Sequence, residues 1–533
     1  MDRIVVNARI LTMDPLVPVA SGLALRGGRI AAVGEGPALL AQRGRDTDVV
    51  DLGGRTAIPG LIDAHIHFAP SVFELVGVDL ARPRPADLPE VQRRIAAAAR
   101  TTPPGGWIRA FGYNEGWLKE RRHPTREELD EAAPAHPVVA VHWSYHRAVA
   151  NSRALEAAGV ALSPRGMRDT LAIPGGVLHR DAAGQLTGLL SEAATDGVQA
   201  QSLDALLARH ADVVLDLVEA QARRLMALGI TAVQDAWVSP ACYALMHRAA
   251  AAGRLPLYYT PLRGSHGIFG SPRFWLDRDD FDGPRPAHLR RGGLKLLAHG
   301  VYEQIVFYSQ AELDDLVERA HRRRLTVAIH ATHGQGVDLA LAAAAHARRA
   351  VPGGEGRIRI EHFFGVTDGH IAKARATGIG IVTQPALVWD RGDGMLGRTY
   401  PAENRQYPIG QLRAAGVPVA GGSDAPCFPL PPLWGIGAAV ERRTRSGAPF
   451  WPEQAVSVAE GLRLYTLGAA WMSGTEEVEG SLSPGKLANF VVLSDDPTNV
   501  EPAHIRDLHV DETWVDGALA YRREVNRAPT APG

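Results

Sequence analysis

Cysteine is nearly absent from this chain: Cys242 and Cys427 are the two in 533 residues. That excludes a disulfide framework and a cysteine-rich zinc domain, and it suits a reducing compartment. Long apolar runs are missing as well. No stretch approaches 18 uncharged apolar residues, so no membrane span is expected. The opening MDRIVVNARI lacks the basic, apolar and small-residue zones of a secretory signal, and a cytoplasmic location is the expectation. Charge of one sign is not in excess either, with 57 Lys and Arg against 58 Asp and Glu. Neither nucleic acid nor an anionic membrane is therefore the expected partner. There is no solenoid-type repeat.

What the chain does contain is ordered from strand-rich ends to a mixed middle. The first 55 residues and the stretch near 489–521 carry short Val- and Ile-rich runs separated by turns. They predict one β-sandwich domain built from both termini, over 1–58 and 474–523, with 524–533 as a frayed tail. Between them, apolar runs at 60–65, 230–234, 257–261, 294–297, 325–330, 358–362, 379–384 and 417–421 alternate with amphipathic helical patterns. In 311–324, for instance, Leu313, Leu316, Val317 and Ala320 recur at helical spacing. Eight such strands alternating with helices predict a parallel sheet closed into a (β/α)8 TIM-like barrel over 59–473. The gap after the first strand far exceeds one repeat, so about 69–206 is an insertion. It follows a strand's C-terminal end and is expected to cover the barrel mouth, with Trp107, Trp117, Trp143 and Tyr145 making that cover aromatic.

The strand ends carry a distinctive set of side chains. His65 and His67 are two residues apart, so in a strand their imidazoles share a face. An HxH pair alone is weak evidence, because two satisfied interior histidines would look the same. However, His330 ends one later strand, His362 ends another, Asp424 lies just past the last and Lys295 sits inside a fourth. Imidazole and carboxylate are the usual ligands of a divalent transition metal. A cationic lysine in an apolar strand facing a metal is costly; it either snorkels to the rim or has reacted with carbon dioxide to give an anionic carbamate that can bridge two metals.

With these residues in view, the chain resembles the amidohydrolase superfamily, in its amidohydrolase-3 branch, which includes the formamide deformylases. The likeness is carried by VVNARILTMDP (5–15), PGLIDAHIHF (59–68), GWIRAFGYNEGWL (106–118), HRAVANSRAL (146–155), GGVLHRDAAGQLTGLLSEAA (175–194), GITAVQDA (229–236) and EGSLSPGKLANFVVLSDDP (479–497). It implies two divalent metal ions, zinc being the expected identity. His65 and His67 would hold one, His330 and His362 the second, Lys295 would bridge them as its carbamate, and Asp424 would bind the first metal and act as base. The implied reaction is hydrolysis of a non-peptide, formamide-like C–N bond by metal-activated hydroxide, with Asp424 as general base and then acid. The implied partner is a small amide-type substrate, and the implied assembly a homodimer.

The sequence departs from the branch at two places, where His299 and His333 stand in positions usually acidic or small. They either contact the substrate or shuttle protons, or lie on surface loops without a role. His146 and Gln384 are further candidates for the substrate pocket, although His146, Asn151 and Glu192 equally suit holding the insertion. Asp235 suits binding loop amides. Trp389, like Trp434, favours an apolar or aryl substrate group or else ordinary packing. Two other readings compete. A mononuclear aminohydrolase acting on a ring is disfavoured by Lys295, which would have no bridge to make. A non-catalytic barrel scaffold is disfavoured because no expected ligand is missing.

Overall fold

The computed structural model describes residues 1–160, 175–264, 272–278, 281–302, 305–332, 334–428 and 431–524. Eight strands form one sheet at its centre. They are β1 (Leu61–Ile66), β2 (Ile230–Val238), β3 (Tyr258–Arg263), β4 (Gly293–Leu297), β5 (Thr326–Ala331), β6 (Ile358–His362), β7 (Gly380–Thr383) and β8 (Val419–Gly421). They pair in chain order, each parallel to the next. β8 returns to β1 through the segment that follows it: the Asp424 N–H donates to the His65 carbonyl at 2.7 Å, and the His67 N–H donates to the Ala425 carbonyl at 2.8 Å. The sheet is thus a closed (β/α)8 barrel, as the alternation of strands and helices predicts.

Period-2 alternation explains which side chains reach the interior. In β6, Ile358 and Ile360 join the apolar layer under the helices, while Arg359 and Glu361 take the other face. In β4, Leu294 and Leu296 enter the same layer and Lys295 lies between them on the opposite face. β5 repeats the pattern with Val327, Ile329 and Ala331 outward and His330 inward. The helix Gln310–Arg322 covers this wall. It starts with a reciprocal capping box between Ser309 and Glu312 and buries Leu313, Leu316, Val317 and Ala320.

The termini build two further sheets. Arg3–Val6, Gly22–Arg26, Arg29–Gly34 and Asp48–Asp51 form one; Arg9–Leu11, Val19–Ala20, Thr56–Pro59, Phe490–Leu493, Val510–Val515 and Ala518–Arg522 form the other. Val5, Leu23, Ala57, Phe490 and Trp514 fill the core between them.

The expected insertion carries structure of its own. It has its own six-stranded sheet, in the order Gly176–Arg180, Leu186–Glu192, Arg147–Ala150, Val138–His142, Ile108–Tyr113, Val78–Asp79. Helices Leu88–Ala99 and Arg126–Ala132 pack against it, and its core includes Val91, Ile95, Leu129 and Val138. No helix among the described residues is long and apolar enough to cross a membrane.

Candidate metal centre at the barrel mouth

The C-terminal ends of β1 and β8 bring His65, His67 and Asp424 together. Their ligand atoms all lie within 4.8 Å of one another, and all three side chains are buried. His67 Nε2 is 3.0 Å from Asp424 Oδ1 and His65 Nε2 is 3.3 Å from it. Each ring is oriented through its other nitrogen. His65 Nδ1 donates to the Glu361 carboxylate, and His67 Nδ1 donates to the Ala236 carbonyl. With the rings neutral, both Nε2 atoms carry lone pairs aimed at a carboxylate oxygen, and a divalent metal placed among them suits that donor set. Anchoring of Nδ1 by a carboxylate or carbonyl is the usual support of a metal-ligating histidine.

His362 follows the same rule: its Nδ1 donates to Gln384 Oε1 at 2.8 Å. Its ring lies 5.0 Å from that of His65 and 4.5 Å from that of His330. His330 Nε2 is buried with no hydrogen-bond partner, an orphaned acceptor or donor of the kind that bound ions satisfy. Lys295 is 2% exposed inside β4. Burial pulls its ammonium down to about 8, although Glu361 and Asp424 act in the opposite direction. Burial and Lys295 also push His65 down, but the carboxylates of Glu361 and Asp424 outweigh them and its net displacement is upward. Burial pushes Asp424 up, yet His65 and His67 hold it well below the usual carboxylate range. The residues present thus fit a metal centre, with His330, His362 and Lys295 placed beside the tighter trio.

Glu361 is the residue that sequence reading passed over. It is fully buried, and its Oε1 lies 2.7 Å from Arg359 Nε. Arg359 also donates to Gln234 Oε1 and to the Ala64 carbonyl. Burial raises the Glu361 carboxyl, but Arg359, His65 and Lys295 hold it down at about 2. Its signal was present in RIRIEH: two opposite charges two apart in an otherwise apolar strand share one face and are affordable only as a pair.

The insertion supplies the other wall. Tyr145 stacks on His67, with ring centres 6.2 Å apart. The His146 ring lies 5.4 Å from His330, and its Nδ1 donates to Glu192 at 2.7 Å. Glu192 also accepts the N–H groups of Val301 and Tyr302 at 2.8 and 3.0 Å, tying the insertion to the loop after β4. Asn151 caps the helix Ser152–Ala157 and accepts the Val138 N–H. Asp235 accepts the N–H groups of Phe68 and Ala69 and the Tyr259 hydroxyl.

The remaining candidates separate. The His299 ring lies 5.5 Å from His330, but it is buried rather than on a surface loop. Its Nδ1 donates to the Gly300 carbonyl, and its Nε2 accepts the Thr332 N–H at 3.0 Å. Both nitrogens are thus engaged in bracing two loops. Gly336 leaves room for this ring, since a Cβ there would sit 1.9 Å from its Cδ2. Trp389 packs with Trp434, Arg445 and Arg506 rather than with the imidazoles. His333 lies outside the described residues.

Comparison with known proteins agrees with this architecture. The sequence model of the amidohydrolase family matches residues 48–521. The N-substituted formamide deformylase of Arthrobacter pascens is 34% identical, covering 98% of each chain. A putative amidohydrolase of Bacillus subtilis, YtcJ, is 26% identical over 90% of this chain and 91% of its own. Among solved structures, an uncharacterized metal-dependent hydrolase from Pyrococcus horikoshii superposes with a TM-score of 0.70 at 23% identity. That match covers 94% of this chain and 99% of the other.

Proposed function

The chain belongs to the amidohydrolase family, and from that premise we propose that it is a metal-dependent hydrolase cleaving a formamide-like, non-peptide C–N bond of a small molecule. The observation that carries this reading is the convergence of the His65 and His67 Nε2 atoms on the Asp424 carboxylate. His65, His67 and Asp424 would hold one divalent ion. His330 and His362 would hold a second, with Lys295 joining the two as its carbamate. Zinc suits this mixed set of imidazole and carboxylate ligands. When bound, such ions make water acidic enough to supply hydroxide near neutral pH and polarise a carbonyl oxygen.

The chain's own groups do the rest. Asp424, held ionised by its two histidines, takes a proton from the attacking water and returns it to the departing nitrogen. Lys295 reacts through its neutral amine, which burial favours. The amine would add to carbon dioxide with loss of a proton, giving an anion that bound metal ions would neutralise. Tyr145 and His146 wall the pocket from the insertion side and exclude bulk water. Formamides are the first substrates to examine because the Arthrobacter relative is named for that activity.

A second reading has one observation in its favour. The closest group comprises His65, His67 and Asp424 alone, which suits a single metal and a deaminase-type reaction. Elemental mass spectrometry of the purified protein separates the two, with Lys295→Ala as control. Two metals per chain, falling in the variant, are expected. One metal, indifferent to Lys295, would favour the mononuclear reading. None, with no gain on incubation with zinc and bicarbonate, would sink both.

A further inference from the structure

The helix Ala386–Leu396 carries Arg391 against two indoles, those of Trp117 and Trp143. The guanidinium carbon is 5.3 Å from the Trp117 ring and 5.0 Å from the Trp143 ring. Trp143 is two residues before Tyr145, which stacks on His67, and its ring lies 5.3 Å from Phe428, four residues past Asp424. The cluster is therefore tied through Trp143 and Phe428 to the segments that carry Tyr145 and Asp424.

The charge balance there is unusual. Arg84 lies 4.0 Å over the outer partner, Trp117, and Arg445 lies 4.7 Å over Trp389. Burial pushes the Arg391 guanidinium below its ordinary value; Asp390 opposes that, while Arg84 and Arg445 add to it. Asp390 lies 2.9 Å from Arg391 Nε, and Asp393 is taken up by Ser446. Among the described residues the two terminal nitrogens of Arg391 find no acceptor, yet the side chain retains 23% exposure. Arg442, by comparison, donates to the carbonyls of Phe450, Trp451 and Gln406. A planar guanidinium clamped by aromatic faces, with its fork left open, is preorganised for a carboxylate.

We propose that Arg391, held between Trp117 and Trp143, is a subsite for a carboxylate carried by the substrate, so that the amide cleaved here bears an anionic group beside an apolar or aryl portion. This rests on the amide-hydrolase reading and narrows its substrate class. The indoles flank the apolar portion, the guanidinium takes both carboxylate oxygens, and the C–N bond points inward to Asp424.

The test uses the metal-loaded enzyme and a matched pair, N-formylphenylalanine and N-formyl-2-phenylethylamine, which differ by the carboxylate. The wild type is expected to favour the acid by about tenfold or more in kcat/KM, mainly through KM, the scale of one charge-assisted pair. Arg391→Met should bring the ratio near one, and Arg391→Lys should retain part of it. Equal rates in the wild type, or a ratio unchanged in Arg391→Met, would overturn the proposal. Binding followed by tryptophan fluorescence separates this from a failure of the hydrolase reading. If neither formamide is turned over, 3-phenylpropionate should still bind about tenfold more tightly than 3-phenylpropionamide in an Arg391-dependent way. A carboxylate preference that survives in Arg391→Met belongs to the metal centre and removes Arg391 as its reader.

Discussion

At the barrel mouth, Glu361, the Ala236 carbonyl and Gln384 each take the Nδ1 proton of one histidine and leave its Nε2 turned inward. In the insertion, by contrast, His142 is spent within the protein at both nitrogens. His142 bonds Ser144 at 2.7 Å through Nδ1 and Glu115 at 2.9 Å through Nε2. His123 meets the Tyr113 hydroxyl, and His179 meets Ser191. The difference teaches that histidine density does not mark a metal site. What marks it is which ring nitrogen remains after the fold has used the other, and whether several such nitrogens converge.

The comparison can be broken most forcefully at the mouth. His362→Ala should remove metal from the enzyme and lower kcat by at least about 10²–10³-fold, the scale of losing a preorganised electrostatic group, whereas His142→Ala should leave metal content intact. Elemental analysis beside single-turnover rates reads both. Equal metal loss in the two variants would erase the distinction.

Glu361 sharpens it, since its role is to orient His65. Glu361→Gln should weaken metal binding about 10–100-fold, measured by competition with a chromogenic chelator. The same change strands Arg359 in the barrel and should cost about 3–5 kcal/mol of stability. Adding Arg359→Met should restore the melting temperature without restoring metal affinity. If affinity returns together with stability, Glu361 serves only the fold.

The smallest effect is expected in the insertion. The hydrogen bond to His142, opposed by burial and helped by the charges of His142 and His123, holds Glu115 down at about 2. A carboxylate lowered on folding stabilises above its unfolded value, and that contribution is lost as pH falls from about 4.5 toward about 2. Glu115→Gln should cost on the order of 1 kcal/mol at neutral pH, because the group is partly exposed and screened. The melting-temperature gap between variant and wild type should close through that pH window. A gap constant down to pH 3 would show that the Glu115 charge contributes nothing. Metal content should not change in this variant.

Much of this was legible before any coordinates. Every expected barrel strand overlaps an observed one, because each is an apolar run at a βα spacing bounded by helical periodicity. The tight trio of His65, His67 and Asp424 was legible too, since strand-end placement alone sends them to one mouth. The insertion's sheet was not legible. Its strands pair out of chain order, with Arg147–Ala150 lying between Val138–His142 and Leu186–Glu192, and such pairing leaves no local trace. The partners of His299 were hidden for a related reason. An imidazole among small residues looks free in sequence, and only the fold reveals the Gly300 carbonyl and the Thr332 amide on either side of it.

By itself, then, the sequence determined the barrel, the strand-rich character of both ends and the residue types at the strand ends, because period-2 and period-3.6 burial patterns are local properties of the chain. Tertiary structure alone decided which nitrogen of each histidine is left over, that Glu361 rather than solvent anchors His65, and that Arg391 meets two indoles of the insertion. Those outcomes depend on partners as much as 296 positions apart, as with His65 and Glu361. No spacing rule spans such a distance; closure of the barrel brings the partners together, and burial then makes each remaining polar atom find a partner or stay open for one.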